Sequence, residues 1–114
     1  MLRRQQTNQV EPPQAEQLQR IGAVLLHARE DDGWAAGHAP GAEHVPLARV
    51  SEATSRLKGE DVLTLCRSGS RSGRAADIVG AAGVNVRTVA GGMSAWSAAG
   101  LPVVRGDGSP GTVV

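Results

Sequence analysis

Leu63-Thr64-Leu65-Cys66-Arg67-Ser68-Gly69-Ser70-Arg71-Ser72-Gly73-Arg74 is the stretch from which the rest of this chain is best read. Val62 to Leu65 is a continuous apolar run of strand length, the pattern of a parallel strand covered on both faces. It ends at Cys66, the only cysteine. A short Ser/Gly/Arg loop follows. From Ser72 to Ala82 the apolar residues Ala75, Ala76, Ile78, Val79 and Ala82 recur at helical spacing. The strongest nucleophile in the chain is therefore predicted at a strand-to-helix junction, with Arg67, Arg71 and Arg74 close by in sequence.

The flanking sequence repeats this alternation. Pro12-Pro13 suits a helix start, and Gln14 to Arg20 reads as a short helix ended by Gly22. Ala23-Val24-Leu25-Leu26 reads as a buried strand running into the polar cluster His27 to Asp32. Trp34-Ala35-Ala36 fits one helical turn, and Gly37 to Ala42 a loop. Glu43 to Val45 reads as a short strand, with Pro46 at its end. Leu47, Val50, Ala53, Thr54 and Leu57 predict an amphipathic helix over 47–58. Val84 to Val89 is β-branched and alternating. Met93 to Ala99 is a short helix before Gly100, and Leu101 to Val104 is extended. Strands alternating with helices imply an α/β domain with a mostly parallel sheet and helices on both faces. Ligands of such sheets sit outside the carboxyl ends of the strands, where Cys66 falls.

Composition narrows the class. The 114 residues suit one domain. With no Phe or Tyr, the core must come from Ala, Val, Leu and Ile, with Trp34 and Trp96 as the only large aromatics. A net charge of +1 argues against nucleic-acid binding. A single cysteine excludes an intrachain disulfide and fits a reducing, cytoplasmic setting. No apolar run reaches membrane-spanning length. Arg3-Arg4 is followed by Gln5-Gln6-Thr7-Asn8-Gln9 rather than an apolar segment, so a twin-arginine signal is not expected.

A cysteine attacks as its thiolate. The helix expected near Arg71 directs unpaired N–H groups toward the loop. The guanidinium groups of Arg67, Arg71 and Arg74 add positive charge. Gly69 permits backbone angles that let successive N–H groups converge on an anion, and Ser68, Ser70 and Ser72 add hydroxyl donors. Such a cradle suits either phosphoryl transfer or transfer of a sulfane sulfur through a persulfide. Loop length separates the two. Cysteine loops of the tyrosine-phosphatase kind enclose one residue more than the four between Cys66 and Arg71. A smaller ring of N–H groups fits a single sulfur atom better than a tetrahedral oxyanion.

Three motifs in order resemble the rhodanese family of sulfurtransferases. Cys66 to Ser72 is similar to the family's active-site loop. Trp34-Ala35-Ala36-Gly37-His38-Ala39-Pro40-Gly41-Ala42-Glu43-His44-Val45-Pro46 resembles its aromatic-x-x-G-H-I-P-G-A-x-x-apolar-P signature. Gly91-Gly92-Met93-Ser94-Ala95-Trp96, continuing to Pro102-Val103, resembles its closing G-G-x-x-x-W-x-x-x-G-x-P-V. The resemblance implies a three-layer α/β fold with a central five-stranded parallel sheet. The motifs span a domain over residues 12–104; by composition, residues 1–11 read as a flexible lead-in with a short strand near Val10, and 105–114 as a flexible tail. The resemblance implies that Cys66 takes sulfur from a donor such as thiosulfate and passes it to an acceptor: cyanide, a thiol or a protein. The backbone from Arg67 through Ser68, Gly69, Ser70 and Arg71 to Ser72 would hold the persulfide. No metal or organic cofactor is implied.

The chain departs from the family at named positions. His27-Ala28-Arg29 stands where Asp-Val-Arg is usual, so Arg29 is kept and an acidic group becomes His27. Arg29 and His27 are supporting site candidates. Trp34 replaces Tyr or Phe, and Ala39 replaces Ile. His38 and His44 lack a metal-ligand spacing with Cys66, and His38 is read as a structural hydrogen-bonding group. Trp96 is read as a core anchor. The competing functional class is a non-catalytic or partner-dependent sulfur carrier.

Overall fold

The computed structural model describes residues 9–28, 31–66 and 70–113. Five parallel strands form one sheet: β1 (Gln9–Val10), β2 (Val24–His27), β3 (Glu43–His44), β4 (Asp61–Leu65) and β5 (Asn85–Val89). Their order across the sheet is β1-β5-β4-β2-β3. The helices are α1 (Pro12–Arg20), α2 (Asp31–Ala36), α3 (Val50–Leu57), α4 (Ser70–Ala81) and α5 (Gly92–Ala98).

Side-chain alternation along the strands divides the core in two. Leu26 and Val62 point to one face, where Val50, Ala53 and Leu57 of α3 and Ala75 and Val79 of α4 cover them. Leu25, Leu63 and Leu65 point to the other, against Ala15 of α1 and Met93 and Trp96 of α5. Strands buried on both faces explain the unbroken apolar runs of β2 and β4. The result is the three-layer α/β architecture with a central five-stranded parallel sheet.

Local differences from the sequence reading have physical causes. The helix expected over 47–58 is a 3-10 turn, Leu47–Arg49, followed by α3. Such tighter turns are common at helix starts. Helix α4 starts at Ser70 rather than Ser72, so three residues separate it from Cys66. Strand β1 lies inside the stretch read as a lead-in and pairs with the edge of β5, Gln9 with Thr88 and Val10 with Val89. The stretch from Arg105, read as a mobile tail, folds back on the domain, with Thr112 N–H donating to Ala36 O at 3.0 Å.

From β2 the chain passes to β3 on one side, then returns to β4 on the other and continues outward to β5. The strand order therefore reverses between β2 and β4. In open parallel sheets the crevice at the carboxyl end of such a reversal is the usual ligand site. Among the described residues, no helix is long and apolar enough to cross a membrane.

Candidate active site

Cys66 follows the last residue of β4, at the carboxyl edge of this reversal. It is buried, with 1% of its surface exposed. Its carbonyl accepts a hydrogen bond from Met93 N–H at 2.6 Å, which ties the start of α5 to the end of β4. Ser70, Arg71 and Ser72 form the first turn of α4. The N-terminal end of a twelve-residue helix therefore lies only four positions beyond the cysteine. A helix start carries unpaired N–H groups and partial positive charge, which favour an anion nearby. Arg67, Ser68 and Gly69 lie outside the described residues, as does Arg29.

His27 closes β2 and is fully buried. Its Cα is in register with Leu65 on β4 and with His44 on β3. Neighbouring parallel strands lie about 4.8 Å apart, and residues in register share a face. The sheet thus brings His27 beside the residue preceding Cys66. Ala28 N–H donates to Leu65 O at 2.8 Å, and Val45 N–H donates to His27 O at 3.0 Å. The crossing strands are held past their formal ends by these bonds.

The three histidines converge on Trp34. The His38 ring stacks on one side of the indole at a centroid distance of 3.6 Å and an interplanar angle of 2°. The His44 ring is also stacked with the indole, at 4.7 Å and 6°. His27 meets the indole edge-on at 5.3 Å and 70°. His38 Nδ1 lies 2.8 Å from Trp34 O. A carbonyl only accepts, so Nδ1 is the donor in this bond. Trp34 and His38 are four residues apart across the end of α2, and this nearness in sequence was the available signal for half of this cluster. The other half depends on the β2–β3 register, which local sequence does not fix.

Among the described residues, no three of His, Cys, Asp and Glu are grouped to hold a metal ion. The histidines are gathered around an indole instead. Ala39 is fully buried in the same cluster as Leu65, Met93 and Trp96. Trp96 is 1% exposed and donates from Nε1 to Pro102 O at 2.7 Å, the anchoring role expected of it.

A family model for the rhodanese-like domain matches residues 11–99. The chain is 33% identical over 109 residues to the protein slr1261 of Synechocystis sp., covering 92% of this chain and 61% of that protein. It is 33% identical to the thiosulfate sulfurtransferase GlpE of Pseudomonas entomophila, over 76% of this chain and 82% of the relative. The crystal structure of a thiosulfate sulfurtransferase from Pseudomonas aeruginosa superposes with a TM-score of 0.77 at 31% identity, over 90% of this chain and 20% of that one. The chain thus spans about three fifths of the cyanobacterial relative's length.

Proposed function

The chain belongs to the rhodanese-like domain family, and from that premise we propose that it is a sulfurtransferase working through a persulfide on Cys66. The observation that carries the reading is the position of Cys66, at the carboxyl end of β4 beside the sheet reversal and four residues before the start of α4. In this reading the Cys66 thiolate attacks the outer sulfur of thiosulfate. The thiolate electron pair forms the new S–S bond, and the pair of the broken S–S bond leaves with sulfite. A nucleophile such as cyanide or a thiolate then attacks the outer sulfur of the persulfide and returns Cys66 as thiolate.

The backbone from Arg67 to Ser72, at the head of α4, is assigned the task of holding the persulfide anion. Arg67 and Arg71 are assigned the attraction of anionic donors. Burial of Cys66 supports this use, because a persulfide shielded from solvent is protected from side reactions. A reducing compartment, proposed as the cytoplasm, keeps a lone thiol available for loading.

The test is incubation with thiosulfate followed by intact-mass measurement. The protein is expected to gain one sulfur atom, release it to cyanide, and gain none as Cys66→Ser. Absence of loading from thiosulfate and other sulfane donors would end the catalytic reading. One observation favours a second reading. His27 occupies the position where the family resemblance expects an acidic residue, and a module altered there would suit partner-dependent sulfur relay. Transfer that requires a protein acceptor, with negligible turnover to cyanide, would select it.

A further inference from the structure

We propose that residues 103–113 are a strap that positions the Cys66 site, acting through the stack of His38, Trp34 and His27. The strap has two arms and a tight turn. Val104 exchanges two backbone hydrogen bonds with His38, each of 2.9 Å. The chain then reverses over Arg105–Gly108, with Gly108 N–H donating to Arg105 O at 2.9 Å and Arg105 N–H to Ser109 O at 2.8 Å. The Asp107 carboxylate accepts from Ser109 N–H at 2.9 Å and from Ser109 Oγ at 2.6 Å. On the returning arm, Gly111 N–H donates to Val103 O at 2.9 Å and Thr112 N–H to Ala36 O at 3.0 Å. The segment 36–38 is thereby bonded to both arms.

The crossing admits no side chains. A Cβ on Gly37 would collide with Thr112 O and come within 2.7 Å of Val103 Cγ1. A Cβ on Gly111 would lie 2.7 Å from Ala36 O and 2.9 Å from Gly37 Cα. Two backbones that approach this closely form a specific joint rather than a loose overlay.

What the joint holds leads to the cysteine. His38 is stacked on Trp34 and bonded to its carbonyl. Trp34 meets His27, and His27 is in register with Leu65, the residue before Cys66. A second route is apolar. Val103 and Val113 pack against the cluster that contains Ala39, Leu65 and Met93, and Met93 binds the Cys66 carbonyl. Ala39 offers this cluster less than the Ile expected there, and the two strap valines add bulk to it. The strap lies beyond residues 11–99, the span of the family-model match.

Cys66 is 1% exposed, so a reagent reaches it through local opening of its surroundings. The strap raises the cost of that opening. The inference rests on the reading of Cys66 as the reactive centre, and alkylation by iodoacetamide tests it without any sulfur donor. Thr112→Pro removes the N–H bonded to Ala36, and Gly111→Val drives the arms apart. Thr112→Val keeps the N–H. The first two variants are expected to alkylate at Cys66 about tenfold faster, the factor carried by one or two net hydrogen bonds. Thr112→Val should react like the parent. The Trp34 indole N–H resonance should move in the first two, while that of Trp96 stays as the signature of an intact core.

Unchanged alkylation in Thr112→Pro and Gly111→Val, or an unmoved Trp34 resonance, would overturn the proposal. If those variants do not fold, hydrogen exchange on the parent decides the matter. The amides of Thr112 and His38 must then open with the same free energy as Cys66 alkylation. Cys66 reacting while those amides stay protected would overturn it as well. A strap that behaves as described in a protein that accepts no sulfur would sink the sulfurtransferase reading alone.

Discussion

The two tryptophans occupy opposite physical regimes. Trp96 lies on α5 with 1% exposure, packed in the cluster of Leu25, Leu63 and Met93, and its one polar atom is bonded to Pro102 O. Trp34 is half-buried on α2, with stacked imidazoles of His38 and His44 beside it and His27 at its edge. One indole is held by removal of apolar surface from water, the other by stacked polar rings. Apolar burial is insensitive to orientation and contributes mainly to stability. Stacking fixes ring planes and so transmits position. The difference separates what keeps the sheet covered from what shapes the carboxyl end where Cys66 sits.

The comparison can be broken most directly at Trp96. Trp96→Ala should cost about 3–5 kcal/mol, the usual cost of emptying a buried large aromatic site. Urea denaturation measures it, and a loss below 1 kcal/mol would remove the core-anchor role. Trp34→Ala should cost less, about 1–2 kcal/mol, because a few stacked contacts of about 0.5–1.5 kcal/mol each are lost from a half-exposed site. Its larger consequence should be at Cys66, with faster alkylation of the same order as in the strap variants. Equal losses of stability at Trp34 and Trp96, with no change at Cys66, would erase the distinction between them.

The smallest effect belongs to the turn of the strap. The Ser109 hydroxyl, then the Ser109 N–H, hold the Asp107 carboxyl below the usual value of 3.8. A carboxylate depressed in the folded state contributes stability that is fully present above its unfolded value. That contribution is lost as pH falls through the lower folded value. Asp107 is exposed, so the contribution is slight. Ser109→Ala should move the Asp107 midpoint upward toward 3.8, read by carboxyl-carbon NMR, with little change in overall stability. A midpoint that does not rise would mean that Ser109 is not what depresses it.

Much of the architecture was legible because its signals are local. The apolar runs of β2 and β4 and the helical spacing of Ala75 and Val79 each lie within a dozen residues. Position at the carboxyl end of a strand followed from the same pattern. The sheet reversal between β2 and β4 is not local, and neither is the register that sets His27 against both Leu65 and His44. The stretch Arg105-Gly106-Asp107-Gly108-Ser109-Pro110-Gly111 has the composition of a mobile tail. Its partners, Ala36, Gly37 and His38, are far away in sequence, so nothing nearby marks Gly111 as half of a joint. The same composition that suggests mobility is what a backbone-on-backbone crossing requires.

That crossing also constrains the order in which the protein is completed during synthesis. Ala36, Gly37 and His38 are made early, with the strands they adjoin, yet their bonding partners Val104 and Thr112 are translated long afterwards. The sheet and its helices have what they need to collapse before the strap exists, as segments made first fold first. Within residues 9–113, the joint between the strap and Ala36–His38 is therefore the last contact whose two sides both exist.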